Sequence, residues 1–160
     1  MTKAEFIVAA TAAAQASSAA SGFPPGVTVA QAALESAWGQ SQLARLAHNY
    51  FGIKAHGDLP WIELPTTEVK DGAAIKVRAY FARYESIGAC FEDRDRLLAR
   101  LAVYAEARAA ARDPEAFLRA LARHWATDPD YAEKLLALYR EHGFDRLDQA
   151  FSPQPSALSH

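Results

Sequence analysis

The stretch from Gln31 to Lys54 constrains this chain most, because it sets one acidic residue, Glu35, among apolar, small and neutral side chains. On a helix, the residues beside Glu35 are those three and four positions away, which are Gln31, Ala32, Trp38 and Gly39. None of them is positively charged. A carboxyl group beside an indole, with no local cation, is expected to have a raised pKa. It could then deliver a proton to a leaving oxygen. The alternative interpretation is that Glu35 is an ordinary solvated glutamate at a helix end.

Capping signals place Glu35 on a helix. Thr28 and Gln31 have the Thr-x-x-Gln spacing of a capping box, which predicts a helix from about Val29 to Ala37. Gly39 is placed to end it. A further short helix is predicted for about Ser41 to Ala47, with Ser41 as its cap.

The first residues allow two interpretations. Lys3 followed by the apolar run from Phe6 to Ala14 has features of an export signal. However, Thr2 to Glu5 forms a capping box, and apolar residues then recur at helical spacing. We therefore predict a helix from about Lys3 to Ser21 that belongs to the fold, and no clear signal peptide.

A β-hairpin is predicted in the middle of the chain. Thr66 to Lys70 and Ala73 to Phe81 flank Asp71-Gly72, a preferred two-residue turn. This turn places Glu68 opposite Ile75, on the same sheet face as the apolar residues of the second strand. A carboxylate there is unusual, and the wall of a cleft would tolerate it. A shift of one residue in register would instead leave Glu68 in solvent.

The rest of the chain is predicted to be helical. One helix runs from Ile87 to Leu101, with Asp93 to Arg96 on its solvated face. Another starts at Asp113-Pro114, and a last one runs from Asp130 to about Gly143. The predicted domain covers residues 1–150, and residues 151–160 are predicted to be a disordered tail.

Composition excludes several classes of function. A chain of 160 residues that is 51% hydrophobic can form one globular domain with a real core. A net charge of −2 gives no reason to expect nucleic acid or an anionic membrane as partner. The five histidines lack paired ligand spacing, so no metal or cofactor is predicted, and no segment is apolar enough to span a membrane. The single cysteine, Cys90, is expected to be a small buried residue.

The central stretch resembles a known family. Its sequence is similar to the pattern AQ-x-x-LES-G-WG-x-S, a short gap and N-x-FGIK, of the family 73 glycoside hydrolases, which are bacterial and phage peptidoglycan N-acetylglucosaminidases. The matching residues are Ala30, Gln31, Leu34, Glu35, Ser36, Trp38, Gly39, Ser41, Asn49, Phe51, Gly52, Ile53 and Lys54. Ala37 stands where the family usually has glycine, and His48 replaces the first asparagine of the pair.

Two further segments extend the resemblance over nearly the whole chain. Phe81 to Tyr84 resembles the family's FR-x-Y, and His124 to Lys134 resembles its GYATDP-x-YA-x-K. Trp125 occupies a position where many members have a tyrosine near the reacting sugar, so the phenolic hydroxyl is lost and the stacking face kept. Trp125 could equally be a core residue, and Asp128 only a helix cap.

The resemblance implies an α+β, mainly helical, lysozyme-like fold with a helical lobe, a small β-hairpin lobe and a cleft between them. It implies hydrolysis of the β-1,4 bond after N-acetylglucosamine in peptidoglycan glycan strands. Glu35 would be the general acid, and Glu68 the second acidic residue, which activates water or stabilises positive charge. A route assisted by the sugar's acetamido group is the alternative. Trp125, Tyr131, Trp38 and Asn49 are predicted to bind substrate, with Trp61 a weaker candidate.

Two rival functions remain at this point. A lytic transglycosylase also uses one glutamate in such a helix but needs no water-activating carboxylate. A non-catalytic glycan-binding module would not need Glu35. We expect a monomer acting on the periplasmic or extracellular cell wall, as a phage endolysin, a delivered effector or a domain of a longer protein.

Overall fold

The computed structural model describes residues 1–151 of the chain, which form a helical body with one antiparallel hairpin. The elements within those residues are α1 (Lys3–Ser21), α2 (Pro25–Ser36), α3 (Gln42–Ala47), β1 (Trp61–Lys70), β2 (Ala73–Ala82), α4 (Ile87–Arg100), a 3₁₀ turn (Ala102–Tyr104), α5 (Ala105–Ala109), α6 (Pro114–Trp125), α7 (Tyr131–Glu141) and α8 (Asp145–Ala150). The prediction of a mainly helical fold with a small hairpin is confirmed.

Helix α1 begins and ends where local signals predict. The backbone N–H of Glu5 donates to Thr2 Oγ1 at 3.1 Å, and that of Thr2 donates to Glu5 Oε1 at 3.0 Å. Gly22 ends the helix in the left-handed conformation at φ 79°. The helix packs against α2 and α4, and buries Phe6 completely.

Helix α2 starts earlier than predicted. Pro25 is its first residue, a position where proline's missing N–H and fixed φ are harmless. The predicted capping box at Thr28 is therefore wrong, since Thr28 is buried inside the helix and its hydroxyl donates to the Pro24 carbonyl at 3.1 Å. The cap comes instead from α8, where Asp148 Oδ1 accepts the Gly26 N–H at 2.7 Å.

The hairpin has the predicted turn and register. Lys70 pairs with Ala73 and Glu68 with Ile75, across Asp71 and Gly72. The segment before β1 also pairs with the hairpin, because the Ala82 N–H donates to the Ile53 carbonyl at 3.0 Å. This contact fixes the hairpin to the helical body.

The solvated face predicted for α4 is wrong for three of its four residues. Asp93, Arg94 and Asp95 are buried, with Arg94 fully so, while Arg96 stays exposed. Arg94 lies one helical turn from Cys90 and from Leu98, which are both in the core. Cys90 is a free, buried cysteine, as predicted.

The C-terminal helices differ from the prediction at one point. Asp113 caps α6 as predicted, accepting the Ala116 N–H at 3.2 Å. Helix α7 is not the last, since α8 follows it and packs against α2. Residues 152–160 of the predicted disordered tail lie outside the described residues. Over residues 1–151, no helix has the length and apolar character needed to cross a bilayer.

Candidate active site

Glu35 lies in the last turn of α2. The helix ends at Ser36, and the next two residues, Ala37 and Trp38, both have left-handed backbones, at φ 51° and 59°. Ser36 fixes this ending, because its hydroxyl donates to the Ala32 carbonyl at 2.6 Å and accepts the Gly39 N–H at 2.8 Å. The carboxyl of Glu35 therefore stands at the negative end of the helix, where the protonated form is favoured.

Burial raises the pKa of the half-buried Glu35 carboxyl above its ordinary value, and a hydrogen bond with the Tyr131 hydroxyl lowers it in part. The predicted direction of the pKa is confirmed, and its largest cause is burial. The left-handed turn directs Trp38 elsewhere, against Phe6 and His142, with Lys3 Nζ 4.1 Å from its ring centroid. Trp38 thus packs within an aromatic cluster, and its predicted contact with substrate stays a prediction.

Gly52 is exposed and lies in front of Glu35. A Cβ at Gly52 would lie 3.9 Å from Glu35 Oε2, and the glycine has a left-handed φ of 71°. Lys54 follows two residues later, and its Nζ lies 3.9 Å from Glu68 Oε1. Two residues of chain span at most about 7 Å. Glu35 and Glu68 therefore approach the same short segment, at Gly52 and at the Lys54 side chain.

Glu68 is more exposed than Glu35. Its side chain is 55% exposed, and the partner Lys54 also lies 4.9 Å above the Phe81 ring. Glu68 occupies the hairpin face that carries Phe81 and Ala79, which are buried nearer the base of the hairpin. Glu68 is therefore a solvent-accessible carboxylate, whereas the carboxyl group of Glu35 is partly buried.

Tyr131 reaches the site through its hydroxyl. It is the first residue of α7, held there by Asp128, which accepts the Asp130 N–H at 2.9 Å and the Lys134 ammonium at 2.6 Å. The ring of Tyr131 is 5% exposed, so stacking on a sugar, as predicted, is excluded by burial. Its hydroxyl instead contacts Glu35 and accepts a bond from Gln31 Nε2 at 3.4 Å.

Asn49 is a structural residue instead of the predicted substrate ligand. Its buried amide donates to the carbonyls of Ile53 and Ala82, both at 2.9 Å. Its oxygen accepts the N–H groups of Phe51 and Ile53 at 3.3 and 3.1 Å. The side chain thus shapes the loop that carries Gly52, and its hydrogen-bonding groups are already engaged.

Trp125 lies at the end of α6, half-buried. Its ring packs edge-on against Phe51 and at a tilt against Tyr104, with a centroid distance of 6.2 Å in both pairs. Phe51 precedes Gly52, so Trp125 approaches the loop in front of Glu35. The weaker candidate, Trp61, is 56% exposed and makes an edge contact with Tyr80.

The sequence predicted only a capping role for Gln31 and no role for Lys54, although both belong to the central motif, and Arg94 was predicted on the wrong face. The helical spacing of Arg94 from Cys90 and Leu98 was the available signal. Among residues 1–151, no three His, Cys, Asp or Glu side chains are grouped in a way that could hold a metal ion.

The chain is similar to known proteins. A family model described as glucosaminidase, mannosyl-glycoprotein endo-beta-N-acetylglucosaminidase, matches residues 11–144. The chain belongs to the glucosaminidase family. The resemblance to glycoside hydrolases predicted from the central motif is thereby confirmed.

Individual members of the family are similar over most of the chain. It is 40% identical to the peptidoglycan hydrolase FlgJ of Escherichia coli over 80% of its length, covering 43% of that protein. It is 34% identical to the exo-glucosaminidase LytG of Bacillus subtilis over 78% of its length, covering 46% of that protein. The chain thus spans less than half the length of these relatives.

A solved structure gives the same fold. The catalytic domain of the autolysin Auto from Listeria monocytogenes superposes with a TM-score of 0.81 at 28% identity, over 91% of this chain and 87% of that one. The predicted lysozyme-like fold is confirmed by this likeness.

Proposed function

We propose that this glucosaminidase-family chain hydrolyses the β-1,4 bond after N-acetylglucosamine in peptidoglycan, with Glu35 as the general acid. The observation that carries the proposal is the half-buried carboxyl of Glu35, with its raised pKa, beside the exposed Gly52. Two relatives are named a peptidoglycan hydrolase and a glucosaminidase, which supports the substrate and the bond. The place of action is then the bacterial cell wall.

The two carboxyl groups have environments suited to different tasks. Burial and the negative end of α2 both favour the protonated form of Glu35, which can protonate the glycosidic oxygen as the bond breaks. Glu68 is open to solvent beside Lys54, so its carboxylate can accept a proton from an attacking water or stabilise the positive charge of the sugar. Trp125 is the proposed apolar contact for a sugar ring, since part of its indole remains accessible.

The test is mass spectrometry of the fragments released from purified peptidoglycan. The wild-type chain should release fragments that end in a reducing N-acetylglucosamine. An anhydro-sugar, lighter by one water, would instead identify a lytic transglycosylase, and a reducing N-acetylmuramic acid would show cleavage of the other bond.

Variants at the two glutamates test their roles. Glu35→Gln should lower the rate by about 10²–10⁴-fold or more without unfolding the chain, because the general acid is lost. Glu68→Gln should also lower the rate. The matched control is Glu63→Gln, which alters a glutamate on the opposite hairpin face, paired with Arg78. Turnover at the wild-type rate by a folded Glu35→Gln chain would refute the assignment.

A further inference from the structure

A buried arginine is connected to Glu35 through hydrogen bonds. Arg94 is fully buried, and its Nε and Nη2 both donate to Gln31 Oε1, at 3.1 and 2.9 Å. Its Nη1 donates to Thr28 Oγ1 at 2.9 Å and to Asp95 Oδ1 at 2.8 Å, so the neighbouring carboxylate balances its charge. Gln31 and Thr28 both belong to α2, the helix that ends with Glu35.

The guanidinium determines which way the Gln31 amide points. A guanidinium has donors and no acceptor, so the Gln31 atom that faces Arg94 must be the carbonyl oxygen. The amide nitrogen of Gln31 then faces the Tyr131 hydroxyl, 3.4 Å away, and must donate to it. Gln31 lies one helical turn before Glu35 on α2, so the Tyr131 hydroxyl that it contacts is on the side of the helix that carries Glu35. Since the Tyr131 oxygen accepts from Gln31, its own proton is left for Glu35.

We propose that Arg94 and Gln31 are positioning residues that orient the Tyr131 hydroxyl as a hydrogen-bond donor to Glu35. The inference rests on the proposed function, in which Glu35 is the acid. In the protonated state of Glu35, Tyr131 donates to one carboxyl oxygen and leaves the acidic proton for the glycosidic oxygen. In the ionised state, the same bond stabilises the charge and limits the rise of the Glu35 pKa caused by burial.

The charged groups around Glu35 define what a pH experiment measures. Tyr131 faces it from α7. Burial and the Glu35 charge raise the pKa of Tyr131, and Gln31 and Arg94 offset part of that rise. Arg94 approaches from α4 through Gln31. The pair of Lys54 and Glu68 lies on the far side of Gly52. Removing the Tyr131 bond should therefore raise the Glu35 pKa.

Gln31→Glu is the decisive variant. A carboxylate still accepts both bonds from Arg94, so the buried charge keeps its partner, but it has no N–H for Tyr131. The Tyr131 hydroxyl can then donate to residue 31 instead of Glu35. We expect the pKa of Glu35, measured by carboxyl NMR and assigned with Glu35→Gln, to rise by about one unit. The alkaline limb of the pH–rate profile should move upward by the same amount.

Thr28→Val is the matched control. It removes another acceptor of Arg94 on the same helix without touching the Gln31 amide. It should lower the melting temperature and leave the Glu35 titration unchanged. An unchanged titration in Gln31→Glu, or an equal change in Thr28→Val, would overturn the proposal.

Tyr131→Phe separates the hydrogen bond from the added charge. It should raise the Glu35 pKa by itself, and Gln31→Glu in that background should then have a much smaller effect. The proposal would be overturned if Gln31→Glu changed the Glu35 pKa fully in the Tyr131→Phe background, or if Tyr131→Phe left that pKa unchanged. If Gln31→Glu fails to fold, Tyr131→Phe alone decides between the two outcomes. A wild-type chain that releases no fragments would refute the proposed function, while the NMR titration would still test the positioning chain.

Discussion

Replacing Ala37 by glycine should stabilise the protein. Ala37 follows the helix of Glu35 with a left-handed backbone, at φ 51° and ψ 52°, and its side chain is exposed. That conformation costs a residue with a Cβ about 1–2 kcal/mol, and costs glycine almost nothing. Part of this gain is offset, because glycine has more freedom than alanine in the unfolded chain. We therefore expect a net increase of about 1 kcal/mol in the free energy of unfolding. No packing contact is removed.

Urea denaturation and thermal melting measure this effect. A gain of that size corresponds to a melting temperature higher by about 2–4 °C for a domain of this length. Ala12→Gly is the matched control, since Ala12 is exposed in the middle of α1, where the same substitution should cost about 1 kcal/mol. If both variants lose stability to the same extent, the left-handed ending of α2 does not strain Ala37, and the reasoning is refuted.

Two further predictions concern Asp148 and Trp125. Burial raises the pKa of Asp148 to about 6, so its contribution to stability is fully present below about pH 3.8 and is lost as the pH rises through 6. Asp148→Asn should keep an acceptor for Gly26 and match the wild type in melting at pH 4. At pH 7.5 it should be more stable, by at most about 3 kcal/mol, and a variant less stable than the wild type at that pH would contradict this. Trp125→Tyr should keep substantial hydrolytic activity, because its ring can still cover a sugar, whereas Trp125→Ala should lose most of it. Normal hydrolysis per folded molecule of Trp125→Ala would show that the indole only packs against Phe51.

Features encoded by nearby residues were predictable. The capping box of α1 and the Asp71-Gly72 turn each depend on side chains within a few positions, so their geometry follows from the local sequence. The register of the hairpin then placed Glu68 on its correct face. The position of Glu35 near the end of its helix was also predictable from Gly39 and its neighbours.

Features set by residues far apart in the sequence could not be predicted. The start of α2 depends on Asp148, which follows Gly26 by 122 positions, so no local pattern announces that cap. The burial of Arg94 contradicts the usual preference of arginine for solvent, and its partners on α2, together with Asp95, make that burial tolerable. The hydroxyl that reaches Glu35 comes from Tyr131 on another helix, a meeting that depends on the packing of α2 and α7.

The contact between Asp148 and Gly26 bears on where this domain can be cut and joined to others. The family match ends at residue 144, before α8 begins, so a fusion protein built to that boundary would lack Asp148. The helix that ends with Glu35 would then start with an uncapped N–H at Gly26. The transferable unit therefore extends to Ala150, and a wall-binding module is best attached beyond that residue.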